Sequence, residues 1–204
     1  LHESHDCAGA GTAAEYGVIT EMYAYVVFFL VLLTYGMETT FFRYAAKKED
    51  YTKVYTSALI PIFILTLTFA LIMQVGGGAV ADFLDYSRHP EYIRWFAIIV
   101  SIDAFTAIIF AKLRHENRAV RFVSIKLINI GSNVFLNLFF FLAVPWLQNQ
   151  GVSLMEGFDP LDVRYVFIAN LVAAIVTLLI LVPEIYPGHL YFNPAWSKAM
   201  FMYA

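Results

Sequence analysis

The chain has 204 residues, of which 60% are hydrophobic and 14% are charged, and its net charge is −3. Soluble proteins carry about 25% charged residues, so this sequence lacks the polar surface that a water-facing globule requires. A small negative charge without a clustered basic face also argues against nucleic acid as a partner. A single cysteine, Cys7, excludes an internal disulfide and a cysteine-rich metal site, so no metal or other cofactor is expected.

Five apolar segments are long enough to cross a bilayer, which takes about 20 helical residues. They are about twice as long as the alternating strands of an outer-membrane barrel, which favours helices. The sequence therefore predicts an all-α fold, a polytopic membrane bundle of about five transmembrane helices. The glycines at 76–78 are expected to end the second helix, and Pro183 is expected to follow the fifth. The predicted segments are 16–44, 54–75, 92–113, 122–147 and 163–182.

The lysines and arginines predict how these helices are oriented. Nine of them lie in or beside two links, the one between the first and second helices and the one between the third and fourth, against three on the opposite side. Cytoplasmic connections carry such an excess, so both links are predicted to be cytoplasmic and the start of the chain external. The nine are Arg43, Lys47, Lys48, Lys53, Lys112, Arg114, Arg118, Arg121 and Lys126.

Three acidic residues lie within the apolar segments, and Glu21, nearer the outer boundary, is the weakest candidate of the three. A charge in hydrocarbon costs about 2.5–3.5 kcal/mol and is typical of an ion or substrate pathway. Asp103, near the middle of the third segment, is expected to face a cavity, although a neighbouring helix could satisfy it instead. Glu38, toward the cytoplasmic end of the first segment, is the second candidate. Arg43, five residues further on, could bind a pyrophosphate as a bidentate donor or anchor in the head groups, and both interpretations remain open.

The fourth segment has a polar stripe, formed by Lys126, Asn129, Asn133 and Asn137 at spacings of three, four and four. Such spacing places all four on one helix face, which cannot face lipid without unsatisfied amides. The amides could bind sugar hydroxyls or join helices to each other, and the residues alone do not decide between the two. Asn170, isolated in the fifth segment, is expected to join helices.

The link before the stripe has four basic residues, Lys112, Arg114, Arg118 and Arg121. It lies where a lipid-linked phosphate would arrive from the cytoplasm. Attraction to anionic head groups, about 1 kcal/mol per basic residue, explains the same cluster as a topology signal. Both hypotheses are kept, with Lys112 and Arg114 as candidate substrate-binding residues.

Several stretches resemble a known family. The sequences AAEYGVITEMYAYVVFFLVLLTYGMETTFFRYA, RWFAIIVSIDAFTAIIFAKLRHENRAVRFVSIKLINIGSNVFLNLFFF and NPAWSKAMFMYA are similar to parts of bacterial polysaccharide-biosynthesis flippases. These belong to the multidrug/oligosaccharidyl-lipid/polysaccharide exporter superfamily. The resemblance covers residues 13–204 and is most specific at 15–17, 35–39 and 112–114.

The resemblance implies two helical bundles around a central cavity, of which this chain is expected to be a fragment, the partial N-terminal lobe. Residues 14–187 would be helices two to six, residues 188–204 a cytoplasmic linker and the start of helix seven, and residues 1–13 an atypical stretch. Similar proteins are not enzymes. They translocate undecaprenyl-diphosphate-linked oligosaccharide across the bacterial cytoplasmic membrane, so the implied partners are that lipid-linked oligosaccharide, membrane lipids and the remaining helices. The alternatives are a cation-coupled drug exporter of the same superfamily and a membrane-embedded polyprenyl-linked sugar transferase.

Overall fold

The computed structural model of the chain describes residues 17, 20–21, 23–47, 51–83, 90–150, 162–186, 192 and 194–203. Regular structure in these residues is helical, with no strand. Five helical segments are long and apolar enough to cross a membrane. The all-α polytopic bundle predicted from the sequence is therefore confirmed. The predicted stretch 1–13 lies outside the described residues.

The described residues form eight helices, of which the first seven make up the five candidate spans. Their bounds in chain order are α1 23–34, α2 Met37–Ala45, α3 Tyr51–Phe83, α4 Pro90–His115, α5 Ala119–Leu138, α6 Val144–Asn149, α7 Arg164–Ile185 and α8 Pro194–Tyr203. The first span consists of α1 and α2, and the fourth consists of α5, a π-helical turn (Phe139–Ala143) and α6.

The first predicted helix is divided at Tyr35 and Gly36. Both residues adopt positive φ, 44° and 63°, which ends α1 immediately before them, and α2 begins immediately after them. Glycine adopts this conformation without steric cost. The hydroxyl of Thr39 donates to the carbonyl oxygen of Gly36 at 2.7 Å and so satisfies a polar group at the break.

Two predicted helix ends were wrong. The helix α3 continues through Gly76, Gly77 and Gly78 to Phe83, and α7 contains Pro183 and ends at Ile185. Away from water, a continuous helix satisfies the most backbone hydrogen bonds, and this outweighs the weak helix propensity of glycine. Pro183 lies in the last turn of α7, where the ring and the missing N–H disturb only one backbone hydrogen bond.

The π-helical turn accommodates Pro145. Proline in a helix has no N–H for the carbonyl four residues earlier, and its ring collides with that carbonyl. The widened turn just before it, in which the Val144 N–H bonds the Phe139 carbonyl five residues back, relieves this conflict. The fourth span therefore crosses its full length despite an internal proline.

The helix α4 is central and contacts α2, α3, α5 and α7. Two buried apolar clusters pack around it. One lies toward the end of the bundle that contains the two basic links, here called the basic end; the other lies toward the opposite end. The basic-end cluster includes Met37, Phe41, Tyr55, Ile109 and Leu181, and the other includes Leu33, Met73, Phe96, Val100 and Phe167.

Candidate functional site

Asp103 lies beside a small hollow between α1, α4 and α7. It is about 18 Å or more along α4 from either end of that helix. The hollow has a volume of about 70 Å³, which is enough for a few water molecules. Its polar lining is Tyr23, Asp103 and Asn170, and the other lining residues are Val26, Phe96, Ile99 and Phe167. The hollow thus combines the carboxylate from the middle of α4 with an amide and a phenol.

The carboxylate of Asp103 has no hydrogen bond or ion pair to any residue that the structure describes, and its backbone carbonyl accepts from Thr106 at 3.1 Å. Lys126 on α5 is close enough for its charge to act on Asp103. The same ammonium group lies 4.3 Å from the ring centroid of Phe110. Asp103 is therefore a half-buried acid whose oxygens are open to the hollow.

The three asparagines of the α5 stripe donate hydrogen bonds from their side-chain amides to other helical residues. The amide of Asn129 donates to the Thr177 hydroxyl at 2.7 Å and to the Ala173 carbonyl at 3.2 Å, both on α7. Asn133 donates to the side-chain oxygen of Asn170 on α7. Asn137 donates to the backbone and side-chain oxygens of Asn133, at 2.9 and 2.8 Å. Asn129 and Asn133 thus face α7, as interhelical contacts would require, whereas Asn137 bonds within α5.

The stripe connects to the hollow through Asn170. The amide of Asn170 donates to the Tyr23 hydroxyl at 2.7 Å and to the Val166 carbonyl at 3.1 Å, while its oxygen accepts from Asn133. Three helices therefore share one hydrogen-bonded chain that ends at the hollow. The amides nearest Asp103 are fixed in direction by these bonds, and such satisfied polar networks are rigid.

At the basic end, two candidate residues form an ion pair: Glu38 on α2 and Arg114 on α4. Their side chains are 38% and 40% exposed. The guanidinium of Arg114 lies 5.4 Å from the ring centroid of Phe42 and 5.6 Å from that of Phe122. Glu38 and Arg114, far apart in sequence, thus pair with each other where α2, α4 and the start of α5 meet.

Lys112 is buried and fully engaged. Its ammonium group donates to the backbone carbonyl of Glu184 at 2.9 Å, lies 3.8 Å from a carboxylate oxygen of Glu116, and sits 5.1 Å from the ring centroid of Tyr55. The hydroxyl of Tyr51 donates to the same Glu116 at 3.1 Å. Lys112 therefore joins the end of α7 to α4 rather than facing solvent. Arg43, by contrast, is exposed in the last turn of α2.

Glu184 is the main polar residue that the sequence analysis missed. Its carboxylate is buried, 7% exposed, and forms ion pairs with Arg118 at 2.7 Å and Arg121 at 2.9 Å. Hydrogen bonding to Glu184 raises the pKa of Arg118 above its ordinary value. A signal was present: an acid in the last turn of a helix opposes the helix dipole and calls for a cationic partner.

A larger cavity, of about 560 Å³, lies between α1, α3 and α4. Its lining is apolar and largely aromatic, including Phe28, Phe29, Phe83 and Phe96. Such a surface suits hydrocarbon; the Tyr25 hydroxyl in its lining already donates to Glu21 at 3.0 Å, which leaves little to orient a sugar. Among the described residues, no group of three or more histidines, cysteines or acids is placed to hold a metal ion.

The fold and this polar interior define the class: the chain is a multi-pass α-helical membrane protein. Comparisons with protein-family models, curated proteins and solved structures find no match.

Proposed function

We propose that this chain is part of a transporter that moves an undecaprenyl-diphosphate-linked oligosaccharide across the bacterial cytoplasmic membrane for polysaccharide biosynthesis. The observation that carries the transport part is the Asp103 hollow. An acid at mid-membrane depth is expensive, and it is typical of proteins that pass an ion or a polar substrate. In this proposal Asp103 takes up and releases a cation or proton during each cycle.

The cargo is proposed from two further features. The predicted cytoplasmic links are rich in lysine and arginine, which suits an anionic diphosphate better than a cationic drug. The resemblance of residues 13–204 to polysaccharide flippases supports a polyprenyl carrier as the lipid that bears this diphosphate. By the same resemblance, the helices described here form one of two bundles, and the cargo passes between them.

The test is complementation of a strain that lacks the gene. Surface polysaccharide is expected to disappear in the deletion strain, to return with the full-length gene, and to stay absent with D103N. Asp82→Asn is the matched control, because Asp82 is an exposed acid in the last turn of α3, at the end of the bundle opposite the basic end. It is expected to complement fully.

Two results would overturn this proposal. One is normal polysaccharide in the deletion strain together with reduced drug tolerance, which would favour the drug exporter. The other is full complementation by D103N at wild-type protein level, which would remove Asp103 from the mechanism. Sugar transferase activity in the purified protein, with no translocation, would favour the membrane-embedded transferase instead.

A further inference from the structure

Arg118 and Arg121 form a fork around one buried carboxylate. The Nη1 atom of Arg118 lies 2.7 Å from Oε2 of Glu184, and the Nη2 atom of Arg121 lies 2.9 Å from its Oε1. Each carboxylate oxygen therefore holds one guanidinium. Both cations belong to the first turn of α5 or the residue before it, and Glu184 comes from the last turn of α7. We call these two arginines the arginine fork.

Most hydrogen-bond donors of the arginine fork remain available. A guanidinium has five N–H groups, and each of these two uses a single terminal nitrogen for Glu184. The same Nη1 of Arg118 also lies 3.4 Å from Glu116. The two side chains are 37% and 42% exposed. The described part of the chain thus leaves the outer edges of both guanidiniums open.

The charges of the arginine fork favour a second anion. Arg118, Arg121 and the buried Lys112 share two carboxylates, those of Glu184 and Glu116, which leaves a net charge of +1 and two like charges near each other in the fork. An anion on the open side would relieve that repulsion and would meet planar donors that match phosphate oxygens in pairs. The adjacent α5 N-terminus adds the positive end of a helix dipole. Arg118 and Arg121 lie at the start of the fourth candidate span, and the ends of a spanning helix meet the phosphates of the bilayer surface.

We propose that Arg118 and Arg121 bind the phosphate of a lipid anchored in the leaflet at the basic end, and that Glu184 positions both guanidiniums for it. On the proposed function, on which the lipid's identity rests, the phosphate is the diphosphate of the polyprenyl carrier, bound before translocation. Two guanidiniums side by side suit two linked phosphates, one for each. The head group of an ordinary phospholipid has the same chemistry and is distinguished by experiment.

Binding is measured with the full-length protein in phosphatidylcholine nanodiscs, using farnesyl diphosphate as the probe. The deciding variant is R118K/R121K, which retains both charges and both partners for Glu184 but loses the planar paired donors. We expect at least about tenfold weaker binding in this variant, since a charged hydrogen bond contributes about 1.5–3 kcal/mol. The matched control is R164K, because Arg164 is 49% exposed and pairs with Asp162 at the end of the bundle opposite the basic end. The affinity of R164K for farnesyl diphosphate is expected to be unchanged.

A second comparison identifies the source of the phosphate. If the fork is a diphosphate site, the affinity for farnesyl diphosphate in nanodiscs that contain phosphatidylglycerol is expected to stay within about threefold of that in phosphatidylcholine alone. Strong competition by phosphatidylglycerol would assign the fork to ordinary head groups and overturn the polyprenyl assignment. Equal binding by R118K/R121K and wild type, both with unchanged thermal unfolding, would show that bulk charge suffices and would overturn the site.

These outcomes are separate from those of the proposed function. Full complementation by R118K/R121K, in the same strain in which D103N fails to complement, would refute the site alone. A diphosphate that binds the fork in a protein whose deletion leaves polysaccharide unchanged would refute the transport proposal alone.

Discussion

The ammonium group of Lys112 on α4 donates a hydrogen bond of 2.9 Å to the backbone carbonyl oxygen of Glu184, in the last turn of α7. The last carbonyls of a helix have no partner within the helix and need one from elsewhere. Lys112 supplies it, and the Glu184 side chain meanwhile holds Arg118 and Arg121. One residue of α7 is thus bound through its backbone to α4 and through its side chain to the start of α5.

Replacing Lys112 with methionine should therefore destabilise the bundle. The substitution keeps a similar side-chain length but leaves the buried Glu184 carbonyl without this donor and removes the nearby cation from Glu116. A hydrogen bond to a charged group contributes about 1.5–3 kcal/mol, so we expect a loss of that size in the free energy of unfolding in detergent. Lys198 is exposed on α8, and K198M is expected to change stability by less than about 0.5 kcal/mol. Equal effects of the two substitutions would contradict a structural role for Lys112.

The Glu38–Arg114 pair allows packing and charge to be separated. The two side chains are 38% and 40% exposed, and exposed pairs contribute about 0.2–1 kcal/mol. Arg114 also contacts two aromatic rings, Phe42 and Phe122, and each such contact contributes about 0.5–1 kcal/mol. We therefore expect R114A to lower the free energy of unfolding by about 1–2 kcal/mol and E38Q by less than 1 kcal/mol. A double-mutant cycle provides the check, and a coupling energy as large as the whole R114A effect would show that the ion pair dominates.

The stripe on α5 makes a third prediction, because its members differ in where their amides bond. Asn129 donates across to α7, whereas Asn137 donates to Asn133 within its own helix. Interhelical hydrogen bonds in membranes contribute about 0.6–2 kcal/mol. N129A is expected to lower the free energy of unfolding by about 1 kcal/mol, and N137A by less than half of that. Reversible unfolding in mixed micelles measures both. A larger loss for N137A would show that the i, i+4 contact, and not the helix–helix contact, matters more.

The spans were predictable because each requires only a long apolar run, and hydrocarbon permits few other structures. Asp103 could be located for the same reason: a charge in the middle of such a run is visible in the sequence. The partners of these residues could not be identified in this way. That Asn129 meets Thr177, or that Glu38 meets Arg114, depends on how the helices rotate and pack, and periodicity within one helix does not determine which neighbour it faces.

The missed features share a physical cause. The glycines at 76–78 predict a helix end by propensity, but tertiary packing overrides propensity when a residue's missing side chain is what allows two helices to approach. Gly77 is such a residue, since a Cβ atom built on it would lie 3.1 Å from Cγ of Arg94 on α4. Glu184 was missed because a single acid after an apolar run looks like a loop residue, and only the fold places three basic residues around it.

The three adjacent glycines give the sharpest test of that packing. A Cβ atom at Gly76 or Gly78 would meet nothing within 4 Å, whereas one at Gly77 would crowd Arg94. Alanine in a helix interior is favoured over glycine by about 0.8–1 kcal/mol. We therefore expect G76A and G78A each to raise the free energy of unfolding by up to about 1 kcal/mol. G77A should gain less than either, because Arg94 must shift by a few tenths of an ångström and its backbone carbonyl accepts a hydrogen bond from Gln74. Thermal unfolding of the three variants in one detergent measures the difference. Equal stabilisation by all three would show that α3 and α4 are not in close contact at Gly77.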